Sequence, residues 1–279
     1  MKGRIKDGWW RRAAPSHPRS VFLLCWFLGS VMLAFVVVPL VALVATQSGA
    51  SLANIAAMSD VRAAIALSLE GAFLSATFAA LIGVPLAYAL ARTDFAGKGL
   101  IAAIVDLPLA VPHTVAGIAL LMVFGRRGLL GAPIDHYVGL QFWGTIAGIV
   151  VAMMFVSAPY TVNAARIGFE AVDPRLEKIA RTLGMGPWRA FFKVTLPLAR
   201  RGIMTGVTLT YARSISEFGA VVILVYYPMT APVKIYELFL RFGLDQAAGA
   251  AVLMLIVSLT LFVLLRYLAH GRAVMRDNR

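Results

Sequence analysis

Two ionisable residues, Arg213 and Glu217, lie four positions apart inside a long apolar segment. On a helix this spacing places both side chains on one face, one turn apart, where an arginine and a glutamate form an ion pair. Charged groups inside a membrane are costly, so paired ones face the interior of a helix bundle. The pair is either a neutralised structural contact or part of a gate on a path through the bundle.

A second polar group follows two prolines in another apolar segment. Pro108 and Pro112 are four residues apart, and each removes a backbone donor and loosens a helix. The carbonyl groups that this frees must face protein or a water-filled path. His113 and Thr114 follow the break directly, where their side chains could donate hydrogen bonds to a ligand in such a path. A structural kink with a packed histidine is the alternative.

The sequence has no residue pattern typical of covalent catalysis, of metal binding or of a bound cofactor. Its four histidines are scattered, and neither HExxH nor CxxC, two common zinc-ligand spacings, occurs. The GxxxxGK[ST] loop that binds nucleotide phosphates does not occur either, so a nucleotide that drives this protein must bind to another subunit. We therefore expect no catalytic residue, no metal site and no cofactor.

Composition identifies the elements that must position these residues. Hydrophobic residues make up 60% of the 279 residues and charged residues 14%. The apolar residues form runs of about 20 or more, long enough to cross a hydrocarbon core of roughly 30 Å. The sequence thus predicts an all-α, multi-pass membrane protein. The net charge of +13 is explained by the excess of lysine and arginine in cytoplasmic loops, so nucleic acid is not an expected partner.

Six transmembrane helices are predicted, over about 21–46, 63–91, 101–124, 144–165, 202–227 and 247–269. Of the 26 lysines and arginines, 20 then fall on the side of the two termini, in the N-terminal tail, at 92–98, at 166–201 and from Arg266 onwards. Because such residues favour the cytoplasmic side, both termini are predicted to be cytoplasmic in a cell membrane. The first run is too long for the apolar part of a signal peptide and is expected to be retained as an anchor.

The segment from Asp173 to Pro197 is a basic, amphipathic island between the apolar runs. Asp173 followed by proline is a helix start, and apolar residues recur at helical spacing up to Gly184. A second short helix starts at Pro187 and is expected to end near Pro197, because proline cannot continue a helix interior. The hairpin either lies on anionic lipid or docks on another protein. The apolar stripe of its first helix consists of Leu176, Ile179, Ala180 and Leu183.

The same segment resembles the EAA loop of permeases of ATP-binding-cassette (ABC) importers. Glu177, Ala180 and Gly184 match the first part of that motif, and Leu196 and Pro197 match its Leu-Pro end. In the family this loop is the coupling helix that inserts into a groove of the ATP-hydrolysing subunit. The resemblance therefore implies that 166–201 couples the chain to a separate ATP-binding subunit through these residues.

The loop departs from the family consensus at three positions. Lys178 and Ile179 stand where the consensus has an acidic residue and an alanine, and Val194 replaces isoleucine. The acidic contact that the family makes would then fall to Glu177. The spacing of nine residues between Gly184 and Val194 matches the consensus.

Two further segments resemble permeases of the molybdate/tungstate type: DLPLAVPHTVAGIALL at 106–121 and ARSISEFGAVVILVYYPMTAP at 212–232. They contain the polar groups described above, which we assign as a hypothesis to a translocation path or gate: Pro112, His113, Thr114, Arg213 and Glu217. Sulfate/thiosulfate-type permeases carry related segments and are the alternative. A secondary transporter that works without an ATPase is a second alternative.

The resemblance implies a type I ABC importer permease fold over 62–268. Residues 1–61 then hold the N-terminal tail, the first helix and an external segment, and 269–279 form a cytoplasmic tail. The implied partners are a second copy of the chain, an ATP-binding subunit and an extracytoplasmic oxyanion-binding protein, within a lipid bilayer.

Overall fold

The structure, a computed structural model, describes residues 19–274 and is helical at every regular element in that range. The predicted basic tail before residue 19 and the last residues of the predicted C-terminal tail, 275–279, lie outside the described residues. One compact unit ends at Ser48 and contains α1, and a second begins at Gly49 and contains the other helices. The helices are α1 (Arg19–Ala45), α2 (Gly49–Ala57), α3 (Ser59–Arg92), α4 (Lys98–Ala110), α5 (His113–Phe124), α6 (Gly131–Val138), α7 (Ile146–Glu170), α8 (Pro174–Thr182), α9 (Pro187–Ala190), a π-helical segment (Phe191–Thr195), α10 (Leu196–Ile215), α11 (Gly219–Leu224), α12 (Ala231–Phe242) and α13 (Leu244–Val274).

Four helices in the described part of the chain, α1, α3, α7 and α13, are long and apolar enough to cross a membrane. They coincide with four of the six predicted spans. The bent pair α4 and α5 adds a fifth if it is counted as one span. The prediction of an all-α, multi-pass membrane protein is confirmed, although uninterrupted helices do not supply all six crossings between residues 19 and 274.

The predicted third span, 101–124, consists of two helices that are bent by 111°. Pro112 stands at the N-terminal cap of α5, and Val111 before it is extended, with φ −79° and ψ 130°. Steric contact with a proline ring favours this extended conformation in the preceding residue. The predicted break therefore falls at Pro112, whereas Pro108 stays inside α4.

The predicted fifth span, 202–227, is interrupted too, which corrects the prediction of a single helix. α10 ends at Ile215 and α11 begins at Gly219. Glu217 lies in the gap, and its Oε1 accepts a hydrogen bond from Ala220 N at 2.8 Å. The first amides of a helix have no carbonyl partner within the helix. The Glu217 side chain satisfies one of them and so stabilises a new helix start at this point.

α8 starts and ends where the sequence predicts. At its start, Asp173 Oδ1 accepts a hydrogen bond from Arg175 N at 2.8 Å. At its end, Gly184 has φ +88°, a conformation that glycine adopts without steric cost. Gly184 N donates to Arg181 O, and the next amide, Met185 N, donates to a carbonyl one residue further back. These two bonds form a Schellman motif, which ends α8 and fixes the turn.

The second helix of the hairpin continues past Pro197, contrary to the prediction. From Pro187 the chain stays helical through α9 and the π-helical segment into α10. At the end of that segment, Leu196 N donates to Phe191 O, five residues back. The wider π turn accommodates Pro197, which lacks an N–H, in the first turn of α10.

α3, α7 and α10 pack against one another and supply much of the core. Hydroxyl groups link them: Ser214 Oγ lies 3.1 Å from Ser75 Oγ and 2.7 Å from Ser157 Oγ. Thr161 Oγ1 and Thr210 Oγ1 are 2.6 Å apart. Small residues let membrane helices approach closely, and their hydroxyls bond across the contact. The three helices thus form the frame that carries both sets of predicted site residues.

Candidate functional site

α8 presents an apolar face that the described part of the chain leaves uncovered. Of the predicted stripe only Ala180 is buried, whereas Leu176, Ile179 and Leu183 are 43%, 55% and 77% exposed. Trp188 in α9 is 75% exposed. Contiguous exposed apolar side chains mark surfaces that bind a partner or a membrane. We call these four exposed side chains, of Leu176, Ile179, Leu183 and Trp188, the α8 face.

Basic side chains accompany the α8 face. Arg175, Lys178 and Arg181 lie on the same helix and are exposed. The surface is therefore apolar and positively charged, which suits a partner with an apolar groove and acidic neighbours.

The predicted coupling residues lie in different environments. Glu177 is directed into the protein, where Oε1 accepts a hydrogen bond from Tyr88 Oη at 2.9 Å and Oε2 accepts one from Thr195 Oγ1 at 3.0 Å. Ala180 is buried, and Gly184 lies exposed in the turn. The structure therefore places Glu177 and Ala180 on the inner side of α8.

The two remaining coupling residues start α10. Leu196 packs, partly buried, against the apolar cluster that contains Phe169. Pro197 is exposed. Both belong to the junction between the hairpin and the three-helix frame, so they connect the α8 face to the core.

Tyr88 and Thr195 were not singled out in the sequence. Tyr88 lies 89 positions before Glu177, so no local spacing links the two residues. Thr195 lies within the matched EAA segment, but the motif does not specify its residue type. Only the three-dimensional packing of α3 against the hairpin brings these hydroxyls to the carboxylate.

The residues predicted to form a path or gate lie together, where the break between α4 and α5 meets the break between α10 and α11. Arg213 Nη2 donates to Glu217 Oε2 at 2.9 Å and lies 2.7 Å from His113 Nε2. The Glu217 side chain is 1% exposed and that of Arg213 is 23% exposed. The predicted ion pair is present, and His113 joins it.

The contact with Arg213 determines which ring nitrogen of His113 carries the hydrogen. A guanidinium only donates hydrogen bonds, so Nε2 of His113 accepts from Arg213 and the ring hydrogen is on Nδ1. Nδ1 is buried and has no hydrogen-bond partner among the described residues. Such an unpaired donor is costly, so this side chain has one hydrogen bond still to offer.

α11 approaches the start of α5 closely at this point. A Cβ atom on Gly219 would lie 2.7 Å from His113 Cβ and 3.4 Å from Thr114 N. Pro112 and Thr114 on either side of His113 are exposed. The break in one helix is therefore packed against the break in the other, with Arg213 and Thr114 at an accessible edge.

A separate ionic cluster joins α12 to the start of α3. Lys234 Nζ lies 2.7 Å from Asp60 Oδ2 and 2.6 Å from Glu237 Oε2, and Arg241 Nη1 lies 2.9 Å from Glu237 Oε1. Hydrogen bonds from Lys234 and then Arg241 hold the pKa of Glu237 below its ordinary value. Burial lowers the pKa of Lys234, but its bonds to Asp60 and Glu237 raise it overall. The two acids balance the two bases, which favours a structural role.

Comparison with known sequences gives consistent matches. Residues 79–274 match the family described as binding-protein-dependent transport system inner membrane component. The molybdate/tungstate transport system permease protein WtpB of Thermococcus kodakarensis is 44% identical over 243 residues, 86% of this chain and 93% of that protein. The molybdenum transport system permease protein ModB of Escherichia coli is 39% identical over 159 residues, 57% of this chain and 69% of that protein.

Comparison with solved structures concerns the fold. A bacterial ABC transporter that imports the acidic polysaccharide alginate contains a chain that is similar with a TM-score of 0.72. The two chains share 16% identity, and the match covers 91% of this chain and 97% of the other. An amino acid ABC transporter gives a TM-score of 0.53 at 18% identity. The predicted fold of an ABC importer permease is therefore confirmed.

Proposed function

The chain belongs to the family of binding-protein-dependent transport system inner membrane components, and we propose that it is the permease subunit of an ATP-driven importer of molybdate or tungstate. The α8 face carries this proposal, because it is an uncovered surface on a hairpin that is anchored to the helical core. The names of the relatives from Thermococcus kodakarensis and Escherichia coli support the choice of oxyanion. Transport proceeds by alternating access.

An ATP-binding subunit covers the α8 face in this proposal. The Schellman turn at Gly184 and the bonds of Glu177 hold α8 at a set angle to the core. A hairpin that only lies on lipid has no need of such a fixed angle, so the geometry favours docking on a protein. ATP hydrolysis takes place in that subunit, and the permease itself performs no covalent chemistry.

The translocation path passes the contact between the two helix breaks. Arg213 and Thr114 lie at its accessible edge, and His113 has an unused Nδ1 donor. Hydrogen-bond donors and a positive charge are what a tetrahedral oxyanion requires. Glu217 neutralises much of the charge of Arg213, so the site binds the anion weakly enough to release it. Pro112 maintains the helix break at which the site is exposed.

The functional complex contains two copies of the chain, two ATP-binding subunits and one binding protein. Two copies of the chain line the path at their interface, and each copy carries one ATP-binding subunit at 166–201. An extracytoplasmic binding protein delivers the anion on the opposite side. The termini lie in the cytoplasm, residues 62–268 form the transport domain between 1–61 and 269–279, and the whole is placed in the cell membrane.

The experiment that tests this function measures ATP hydrolysis by the reconstituted complex. The chain is purified with its ATP-binding subunit, placed in liposomes with the binding protein, and given molybdate, tungstate or sulfate. We expect molybdate or tungstate to stimulate hydrolysis and uptake, and sulfate to have no effect. Stimulation by sulfate alone would assign the chain to the sulfate/thiosulfate type, and uptake without ATP would make it a secondary transporter.

A further inference from the structure

Both oxygens of the Glu177 carboxylate are engaged within the chain. Oε1 accepts from Tyr88 Oη at 2.9 Å, and Oε2 accepts from Thr195 Oγ1 at 3.0 Å. These three side chains come from α8, from the end of α3 and from the π-helical segment. We call this arrangement the Glu177 bridge. It joins the helix that bears the α8 face to two parts of the core at once.

Packing holds the two donors of the Glu177 bridge in place. The Tyr88 ring lies 5.3 Å from that of Phe169 and 4.7 Å from that of Phe191, in edge-to-face contacts. Thr195 is completely buried. Rings in this geometry stabilise one another beyond the area that they bury. The two hydroxyls therefore have fixed positions, and they determine where the Glu177 carboxylate lies.

A second contact supports the start of α8. Arg92, the last residue of α3, donates from Nη2 to Val172 O at 2.8 Å, just before the helix begins. The end of α3 thus contacts the hairpin at Val172 and again at Glu177. Each contact includes an ionised group, the Arg92 guanidinium or the Glu177 carboxylate, and such hydrogen bonds are roughly twice as strong as neutral ones. The Glu177 bridge consists of two of them.

We propose that Glu177 is a positioning residue that transmits the movement of α8 to α3 and α10, and that it does not bind the ATP-binding subunit. This inference rests on the proposed function of the chain. The carboxylate has a donor on each oxygen and is directed inward, while the α8 face is directed outward. The partner therefore pushes on apolar side chains, and the Glu177 bridge passes the force to the core.

The geometry separates this role from a direct contact with the partner. If Glu177 transmits movement, Tyr88→Phe and Thr195→Val must uncouple transport as well, because each removes one hydrogen-bond donor from the carboxylate. A glutamine keeps an acceptor oxygen for Tyr88 and offers an amide hydrogen to the Thr195 hydroxyl. Glu177→Gln should therefore retain part of the coupling that Glu177→Ala loses.

The test compares these four variants in the reconstituted complex, with molybdate and the binding protein present. We expect each variant to insert, to retain the ATP-binding subunit and to hydrolyse ATP. The amount of molybdate transported per ATP should fall about tenfold in Glu177→Ala, Tyr88→Phe and Thr195→Val, as the loss of a hydrogen bond to a charged group implies. Glu177→Gln should lie between Glu177→Ala and the unchanged protein.

Two control variants remove similar groups elsewhere. Asp94→Asn removes an exposed carboxylate that pairs with Lys98 four residues later, and Thr205→Val removes a hydroxyl whose partner among the described residues is Arg201 O. Both should transport as the unchanged protein does.

Two other outcomes would overturn the inference. If Tyr88→Phe and Thr195→Val couple normally while Glu177→Ala and Glu177→Gln both release the ATP-binding subunit, Glu177 binds the partner directly. If all four variants couple normally, the Glu177 bridge transmits nothing, while the proposed function stands. Failure of the proposed function itself is recognised separately, because the unchanged chain would then show no ATP-dependent uptake.

Discussion

Arg213 Nη2 and Glu217 Oε2 are 2.9 Å apart although α10 ends between the two residues. The other oxygen of the same carboxylate accepts a hydrogen bond from Ala220 N in α11. One side chain thus pairs with the end of one helix and caps the start of the next. The ion pair and the helix break are therefore a single structural feature.

The stability losses caused by removing Arg213 and by removing Glu217 should not add up. Arg213→Ala leaves the Glu217 carboxylate, which is 1% exposed, without its counter-ion, and a buried charge without a partner costs about 3–5 kcal/mol. Glu217→Ala loses the α11 cap as well. We expect thermal unfolding in detergent to show that the double variant is less destabilised than the sum of the two single variants.

An exposed pair with the same spacing provides the control. Arg166 Nε and Glu170 Oε1 are 2.8 Å apart, with side chains 29% and 45% exposed. Exposed pairs contribute about 0.3–0.5 kcal/mol, so single alanine variants there should unfold almost normally. Strict additivity of Arg213→Ala and Glu217→Ala would contradict the coupling that we infer.

Gly184→Val should uncouple the permease without preventing its insertion. A Cβ atom on Gly184 meets nothing within 4 Å, so the cost comes from the backbone, where φ +88° is unfavourable for a branched residue by about 1–2 kcal/mol. The turn should open and the α8 face should change direction. Co-purification of the ATP-binding subunit and oxyanion-stimulated hydrolysis measure this effect.

Gly186→Val is the matched control for that turn. Gly186 also has open space around its Cβ position, but its φ is −64°, which valine adopts readily. It should behave as the unchanged chain does. If Gly184→Val also retains normal association and stimulation, the turn does not serve coupling, and the main support for the α8 face as a docking surface is lost.

Gly219→Ala should disturb the contact between α11 and α5. Its Cβ would lie 2.7 Å from His113 Cβ, an atom that cannot move without the backbone. Overpacking of this kind costs about 1–3 kcal/mol. We expect a lower unfolding temperature and reduced uptake. Gly99→Ala, in the first turn of α4 with nothing within 4 Å, should be neutral or slightly stabilising; equal effects at both sites would argue against close packing at His113.

The ionic cluster on α12 predicts a sensitivity to acid. The pKa of Glu237 is lowered in the folded protein by Lys234 and then Arg241. A carboxyl group with a lowered pKa contributes stability above its unfolded pKa, about 4.3, and this contribution is lost as pH falls through the folded pKa. The unfolding temperature of Glu237→Gln should be lower near neutral pH and should change less on acidification.

A fully exposed carboxyl group gives the comparison for that measurement. The side chain of Asp94 is 99% exposed beside Lys98, and exposed ion pairs contribute little to stability, so Asp94→Asn should leave the unfolding temperature near neutral pH almost unchanged. An acid response of Glu237→Gln that equals that of the unchanged chain would show that Glu237 does not contribute to it.

The charge distribution predicts the orientation of the chain. Reporters fused after Arg92 and after Arg200 should be active as cytoplasmic fusions, and one at Gly131 should be external, because 20 of the 26 lysines and arginines would otherwise lie outside. Accessibility of single engineered cysteines at the same positions checks the result independently. A cytoplasmic signal at Gly131 would contradict the six-span topology.

Local signals in the sequence were sufficient for some elements. The ends of α8 could be predicted because an aspartate and a glycine act on the backbone within a few residues of themselves. The break at Pro112 follows equally from its missing donor. The long apolar helices were identified by length and composition alone.

Other features depend on contacts between distant residues. The spacing of Arg213 and Glu217 fits one helix and also fits a capped break, so it could not indicate that α10 ends at Ile215. Pro197 signals a helix end unless a π turn precedes it. The environment of Glu177 is set by Tyr88, 89 residues away, and such a contact becomes visible only when α3 and the hairpin pack together.

The π-helical segment determines the helical phase between the hairpin and the core. Successive residues of an α-helix are rotated by about 100°, and a π turn contains one more residue than an α turn. Deleting one residue between Phe191 and Thr195 would restore α geometry and rotate everything before it by about 100° around the axis of α10. The azimuth at which the chain presents Leu176 and Ile179 is therefore set by a single inserted residue, independently of the side chains on that surface.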